Sequence, residues 1–341
     1  MSRPRPGGDP AATWVALSGG SGGVKLAVGL AQILGERLAV IVNTGDDFTH
    51  LGLSISPDID TLLYSLAGRV NEAAGWGLAG ETWSFMRALG DLGGPTWFKL
   101  GDGDLATHVD RTSRLRAGET LTAICARHAR RLGIAARVLP MTDDPVRSLV
   151  DSDAGVLSFQ EYFVRDQCRP AVRAISFEGA GAARPTPQVL DALAAPTLAG
   201  IVIGPSNPWL SIDPILAVPG LADALRASGA PIIAISPIVG GKAVKGPAAK
   251  IMAELGLAVD CRSVARHYAG LIDGFVIDSA DEKLAQEVEL GTRPEAPLPT
   301  LATNTMMRTL DDKLALARRC LAFCEELAAT SRTGRGVRAR Q

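Results

Sequence analysis

The opening of the chain constrains its fold more than any later stretch. Thr13 to Leu17 (TWVAL) is a short apolar run of strand length, Ser18 to Gly23 (SGGSGG) is a cluster of turn formers, and KLAVGLAQIL repeats its apolar residues at helical spacing. Leu38 to Val42 (LAVIV) follows as a second, β-branched run. Strand, helix and strand in that order form a βαβ unit, whose right-handed crossover ties two parallel strands of one sheet. Further short apolar runs fit the same sheet: Arg137 to Pro140, Gly200 to Ile203, Pro231 to Ile235, Phe275 to Asp278 and Pro299 to Thr303. The predicted fold class is α/β, a doubly wound, mostly parallel sheet.

Between these runs the pattern changes. It turns helical after Thr61, becomes rich in Gly and Trp up to Gly101, reads as one helix over Arg114 to Leu132, and is strand-like from Ala154 to Ser176. We therefore expect residues 1–12 to be a disordered lead-in and residues 13–330 to form one α/β domain. A smaller helical and β insertion is expected over roughly 62–185, and a basic tail over 331–341 after a helix spanning Leu310 to Ala328.

Charge narrows the function classes. The 341 residues carry 35 basic and 36 acidic side chains, for a formal net charge of −1, so no global positive field exists to hold nucleic acid. Aromatic residues are only 5%, too few for a stacking platform. Anionic ligands must be met locally, by glycine turns and single cations. The five cysteines lack disulfide-like spacing, no signal-peptide pattern opens the chain, and no apolar run is long enough to cross a membrane. A cytoplasmic location is expected, with Cys320 and Cys324 sharing a buried helical face.

Six motifs carry chemistry, and four of them fall just after predicted strands, where ligands of doubly wound sheets bind. Ser18 to Lys25 places Gly19, Gly20, Ser21, Gly22 and Gly23 before a helix. Backbone N–H groups there suit an anion, although the spacing matches neither a Walker A loop nor GxGxxG. Asn43-Thr44-Gly45-Asp46-Asp47 offers two carboxylates at a strand end, fit for a divalent cation, a ribose hydroxyl or a plain Asx turn. Ser56-Pro57-Asp58-Ile59-Asp60 puts Asp60 at an expected N-cap; on an extended loop Asp58 and Asp60 face one side and, with Asp46, make a cluster hard enough for Mg²⁺. In Phe98 to His108 (FKLGDGDLATH), Lys99 beside glycine turns suits a phosphate or carbonyl, His108 reads as structural, and a calcium loop is excluded because no Glu stands at the required offset. Gly204-Pro205-Ser206-Asn207-Pro208 and Ser236-Pro237-Ile238-Val239-Gly240-Gly241-Lys242 are rigid, polar turns after strands.

These segments, with GWGLAGETW, VLPMTDDPV and FQEYFV, resemble the 2-phospho-L-lactate transferase (CofD) family of coenzyme F-420 biosynthesis, in its order and from about Trp14 to Leu327. The resemblance implies a Rossmann-like homodimer using Mg²⁺. Such an enzyme moves a phosphorylated three-carbon acid from its guanosine diphosphate carrier to the deazaflavin Fo and releases GMP. It implies that Asp60 and Lys99 meet the deazaflavin, with Asp60 as the catalytic group, and that Asp46 and Asp60 stand near the metal. Gly19 to Gly23, Ser206, Asn207, Ser236 and Pro237 would hold the guanosine diphosphate part. The loop reads SGGSGGVK where archaeal members carry SGGTGTPK, which is closer to the bacterial branch and leaves 2-phospholactate, phosphoenolpyruvate and 3-phosphoglycerate open as the acid. Two rivals remain: a related nucleotide-binding regulator without catalysis, and a dehydrogenase, which the missing GxGxxG disfavours.

Overall fold

A computed structural model describes residues 11–292 and 297–338, with side chains up to residue 330. Seven strands build the central sheet: β1 (Thr13–Ser18), β2 (Leu38–Val42), β3 (Arg137–Pro140), β4 (Leu198–Ile203), β5 (Ile232–Ile235), β6 (Gly274–Asp278) and β7 (Thr300–Thr303). Their spatial order is β7-β6-β5-β4-β1-β2-β3, and every neighbouring pair is parallel. This extends the 3-2-1-4-5-6 order of dinucleotide-binding sheets by one strand. The order reverses at β1, which pairs with β2 from Trp14–Leu38 to Ser18–Val42 and with β4 from Trp14–Gly200 to Leu17–Ile203.

Both faces of the sheet are covered, so its central strands are apolar on both faces. Along β1, Val15 and Leu17 enter one core with Ile201 and Ile203, while Trp14 and Ala16 enter the other. On that second face lie α1 (Gly20–Leu34), α2 (Pro57–Leu66) and α5 (Leu121–Arg131), with the C-terminal helix Leu310–Arg338 packed on α1. Cys320 and Cys324 are both fully buried there, as their spacing suggests. That helix is longer than expected: its backbone continues past Gly334 and Gly336 into the segment read as a tail. Of the expected lead-in, residues 1–10 lie outside the described residues, as do 339–341 of the tail.

The segment expected as an insertion over 62–185 does not stand apart from the sheet, because β3 lies inside it and forms the sheet edge. The helix expected over Arg114 to Leu132 is two helices. α4 (Asp102–Arg116) stops before Gly118, whose φ is +89°, and Thr120 caps α5 by accepting from the Ala123 N–H at 3.2 Å. The short α3 (Ser84–Asp91) precedes them. The strand-like stretch forms a separate antiparallel sheet of Gly155–Ser158, Arg147–Ser152 and Val172–Glu178, with Arg147–Ser152 in the middle.

Candidate functional site

At the switch point the glycine segment is less a loop than the first turn of α1. Gly19 is extended, Gly20 has φ +63°, and the helix begins at Gly20. A side chain at Gly22 would drive into the Pro205 carbonyl, and one at Gly23 into the Ser206 hydroxyl. These glycines let the helix start lie flush against the turn after β4. Ser206 Oγ accepts from the Gly19 N–H at 3.5 Å. The positive end of α1 meets an internal anion, since the Gly20 N–H donates to Asp58 Oδ1 at 2.8 Å. The N–H groups of Ser21, Gly22 and Gly23 follow in the same first turn, where a helix cannot bond them internally.

Asp58 belongs to a group of buried carboxylates. Asn43 Nδ2 donates to Asp58 Oδ2 at 3.0 Å, and Asn43 Oδ1 accepts from the Gly45 N–H at 2.7 Å, an Asx turn that presents Asp46 and Asp47. Ser56 Oγ donates to Asp47 Oδ2 at 2.7 Å. Oδ1 of Asp46 and Oδ1 of Asp47 are buried without a hydrogen-bond partner. Burial, and then the Asp58 charge, hold Asp46 well above the usual carboxylate range. Burial raises Asp47 to about 7 and Asp58 to about 6.

The expected arrangement of Asp58 and Asp60 on an extended loop is corrected. Pro57, pre-set for the first helical position, starts α2 immediately after Ser56, so both aspartates lie in its first turn. Two residues apart on a helix is about 200° of rotation, and the side chains diverge. Asp58 faces Gly20 and Asn43, while Asp60 faces α4. There Arg111 Nη1 donates to Asp60 Oδ2 at 3.0 Å and Nη2 pairs with Oδ1. His108 Nδ1 stands 3.6 Å from Asp60 Oδ2, and its Nε2 stands 3.3 Å from Asp104 Oδ2. Tyr64 Oη donates to Asp104 Oδ1 at 2.6 Å. Asp60, Asp104 and His108 lie close enough to hold a metal ion, but the guanidinium already occupies both Asp60 oxygens. Lys99 is exposed in the turn ahead of α4.

On the other side of the switch point, Asn207 Oδ1 accepts from the N–H groups of Trp209 and Leu210 at 3.1 and 3.3 Å, and its Nδ2 is left without a partner. Ser236 turns its hydroxyl inward, donating to the Ile238 carbonyl at 3.0 Å and accepting from the Ile238 N–H at 3.1 Å. Ser236 and Pro237 nonetheless line a cavity with Lys25, Pro205, Thr305 and Arg308. Burial, followed by repulsion from Lys245 and Lys313, lowers the Lys25 pKa. Sequence reasoning missed Arg111, which looks like any helical arginine, and the Thr305 to Arg308 turn after β7, whose only signal was its place at a strand end.

The parallel sheet of dinucleotide-binding order, with a glycine-lined helix start, a cationic pocket and buried carboxylates at one end of its strands, defines a doubly wound α/β protein. The chain belongs to the 2-phospho-L-lactate transferase CofD family, whose model matches residues 14–300, and it is a transferase. It is 41% identical over 322 residues to the phosphoenolpyruvate transferase of Streptomyces griseus, covering 92% of this chain and 99% of that one. It is 37% identical over 316 residues to the 2-phospho-L-lactate transferase of Methanocaldococcus jannaschii, covering 91% and 98%. A crystal structure of a UPF0052 family protein from Bacillus halodurans shares the fold, with a TM-score of 0.56 at 16% identity over 91% of this chain and 99% of that one. Among the described residues no helix is long and apolar enough to cross a membrane.

Proposed function

We propose that this transferase moves a phosphorylated three-carbon acid from a guanosine diphosphate carrier to the terminal hydroxyl of the deazaflavin Fo, releasing GMP, as a step of coenzyme F-420 biosynthesis. The observation that carries the reading is the pairing of a glycine-lined helix start with buried carboxylates at the switch point. A diphosphate donor needs both: N–H groups for its phosphates and a cation to offset its charge. The enolpyruvyl acid is the favoured donor, supported by the name of the Streptomyces relative, with 2-phospholactate and 3-phosphoglycerate as the other two.

Mg²⁺ is the cation that the donor set suits. The partnerless oxygens of Asp46 and Asp47 are hard ligands, buried and close to a third carboxylate, Asp58. Asp46 is the principal ligand in this reading, and Asp60 contributes only through lone pairs that Arg111 leaves. When bound, Mg²⁺ neutralises charge building on the leaving phosphate. The protein's own part is placement. Ser21, Gly22 and Gly23 offer N–H groups, Asn207 its free Nδ2, and Lys25 its charge to the diphosphate, while Ser236 and Pro237 wall the pocket. Asp60 orients the acceptor hydroxyl, and Lys99 offers a cation to the deazaflavin. The hydroxyl oxygen bonds to the phosphorus bearing the acid, the bond to GMP breaks, and the hydroxyl proton leaves late, because an aspartate is a weak base towards an alcohol.

A cytoplasmic homodimer completes the reading; five unpaired cysteines support the reducing compartment, and mass in solution tests the dimer. For the site itself the test is Asp60→Asn. We expect kcat to fall about 100-fold or more with the fold intact by circular dichroism. Near-wild-type turnover would remove Asp60 from the site.

A further inference from the structure

Helix α2 brings Asp60 to the site, yet the groups that hold its carboxylate come from α4. Arg111 grips both oxygens, through Nη1 at 3.0 Å and through Nη2, and Nη1 also donates to the Ser54 carbonyl at 3.2 Å. Its neighbour Thr112 accepts from the Ser54 N–H at 2.8 Å, which locks α4 to the strand Leu53–Ile55 just ahead of α2. Arg111 is 1% exposed and Asp60 5%, so neither is free to reorient in water. A planar two-point grip fixes the plane of a carboxylate as well as its charge, which a lysine ammonium does not.

We propose that Arg111 is the positioning residue for Asp60: it sets the plane in which the remaining Asp60 lone pairs meet the acceptor hydroxyl, and it serves transfer through Asp60 alone. The inference rests on the functional reading above. Burial makes the pair an uncertain source of stability, because desolvating two ions offsets much of their attraction. Its place beside the proposed acceptor gives it a reason to exist. A misplacement of about 1 Å at such a contact costs on the order of 100-fold in rate.

The test compares three variants (Arg111→Lys, Asp60→Asn, and Asp60→Asn with Arg111→Met) with the wild type by steady-state transfer to Fo in the presence of Mg²⁺, with donor KM and circular dichroism measured alongside. Arg111→Lys keeps the charge and loses the plane; we expect a folded protein with kcat down about tenfold or more and donor KM within about twofold. Asp60→Asn with Arg111→Met removes both buried charges, so neither is left unpaired. We expect this double variant to transfer at the residual rate of Asp60→Asn alone, within about threefold. A further tenfold loss beyond Asp60→Asn, wild-type kcat in Arg111→Lys, or a double variant that fails to fold would each overturn the proposal. A wild-type protein that transfers no acid to Fo would instead overturn the functional reading, which keeps the two failures apart.

Discussion

Glu81 and Asp102 each hold the start of the helix that follows the other. Glu81 accepts from the N–H groups of Gly103 and Asp104 at 2.8 and 2.7 Å, in the first turn of α4. Asp102 accepts from Ser84 and Phe85 at 3.0 Å each, in the first turn of α3, and from the Thr82 hydroxyl at 2.6 Å. Carboxylates at helix starts satisfy orphan N–H groups and meet the positive end of the helix dipole. The D-G-D stretch is thus half of a reciprocal clamp. It docks the Gly- and Trp-rich segment, with Trp76 and Trp83 around a cavity beside Asp104, onto the helix that carries Arg111.

Removing one jaw should loosen that segment. Glu81→Ala leaves two first-turn N–H groups uncapped, for a cost of about 1–2 kcal/mol. Thermal melting should drop by a few degrees, and KM for Fo should rise more than KM for the donor. Equal rises in both would show that the clamp does not face the acceptor.

The carboxylate group makes a cation-binding prediction that needs no turnover. Mg²⁺ at 100 times its dissociation constant should stabilise the wild-type protein by about 2.7 kcal/mol, seen as a rise in melting temperature. Asp46→Asn should abolish most of that rise, and Lys99→Ala should leave it intact. An unchanged Mg²⁺ response in Asp46→Asn would move the metal elsewhere.

Asp47 sets a pH dependence in metal-free protein. Its pKa is about 7 folded against 3.8 unfolded, so the folded state binds the extra proton between those values. Its contribution to stability is complete below the unfolded value and is lost as pH rises through the folded one. Asp47→Asn should therefore gain melting temperature relative to wild type as pH rises from about 4 to about 7, by a few degrees. A difference that stays flat over that window would mean the Asp47 carboxyl is not held protonated.

Much of the sheet was legible because buried parallel strands are short apolar runs, and Arg137–Pro140 has the same bounds in the sequence reading and in the structure. The strand-end position of the motifs was equally plain, since the turn residues stand next to the runs they end. What escaped was set by contacts distant in sequence. Arg111 meets Asp60 across 51 residues and Glu81 meets Gly103 across 22, and neither partner carries a local mark of the other. The divergence of Asp58 from Asp60 was within reach of the sequence, because Pro57 announces a helix start that turns a shared face into two. The glycines of SGGSGG were read as bringing N–H groups to an anion; what Gly22 and Gly23 make room for in the fold is the protein's own turn at Pro205 and Ser206.

In the proposed reaction these residues serve transfer to a deazaflavin alcohol from a guanylylated acid. The most direct measurement is GMP release from purified protein with Mg²⁺ and Fo, supplied in turn with the enolpyruvyl, phospholactyl and phosphoglyceryl forms of the guanosine diphosphate donor. We expect GMP and the phosphodiester of Fo with the acid in equal amounts, fastest with the enolpyruvyl donor, and neither product when Fo is omitted. Binding of all three donors with no GMP released from any of them would contradict the claim and leave a nucleotide-binding protein without this chemistry.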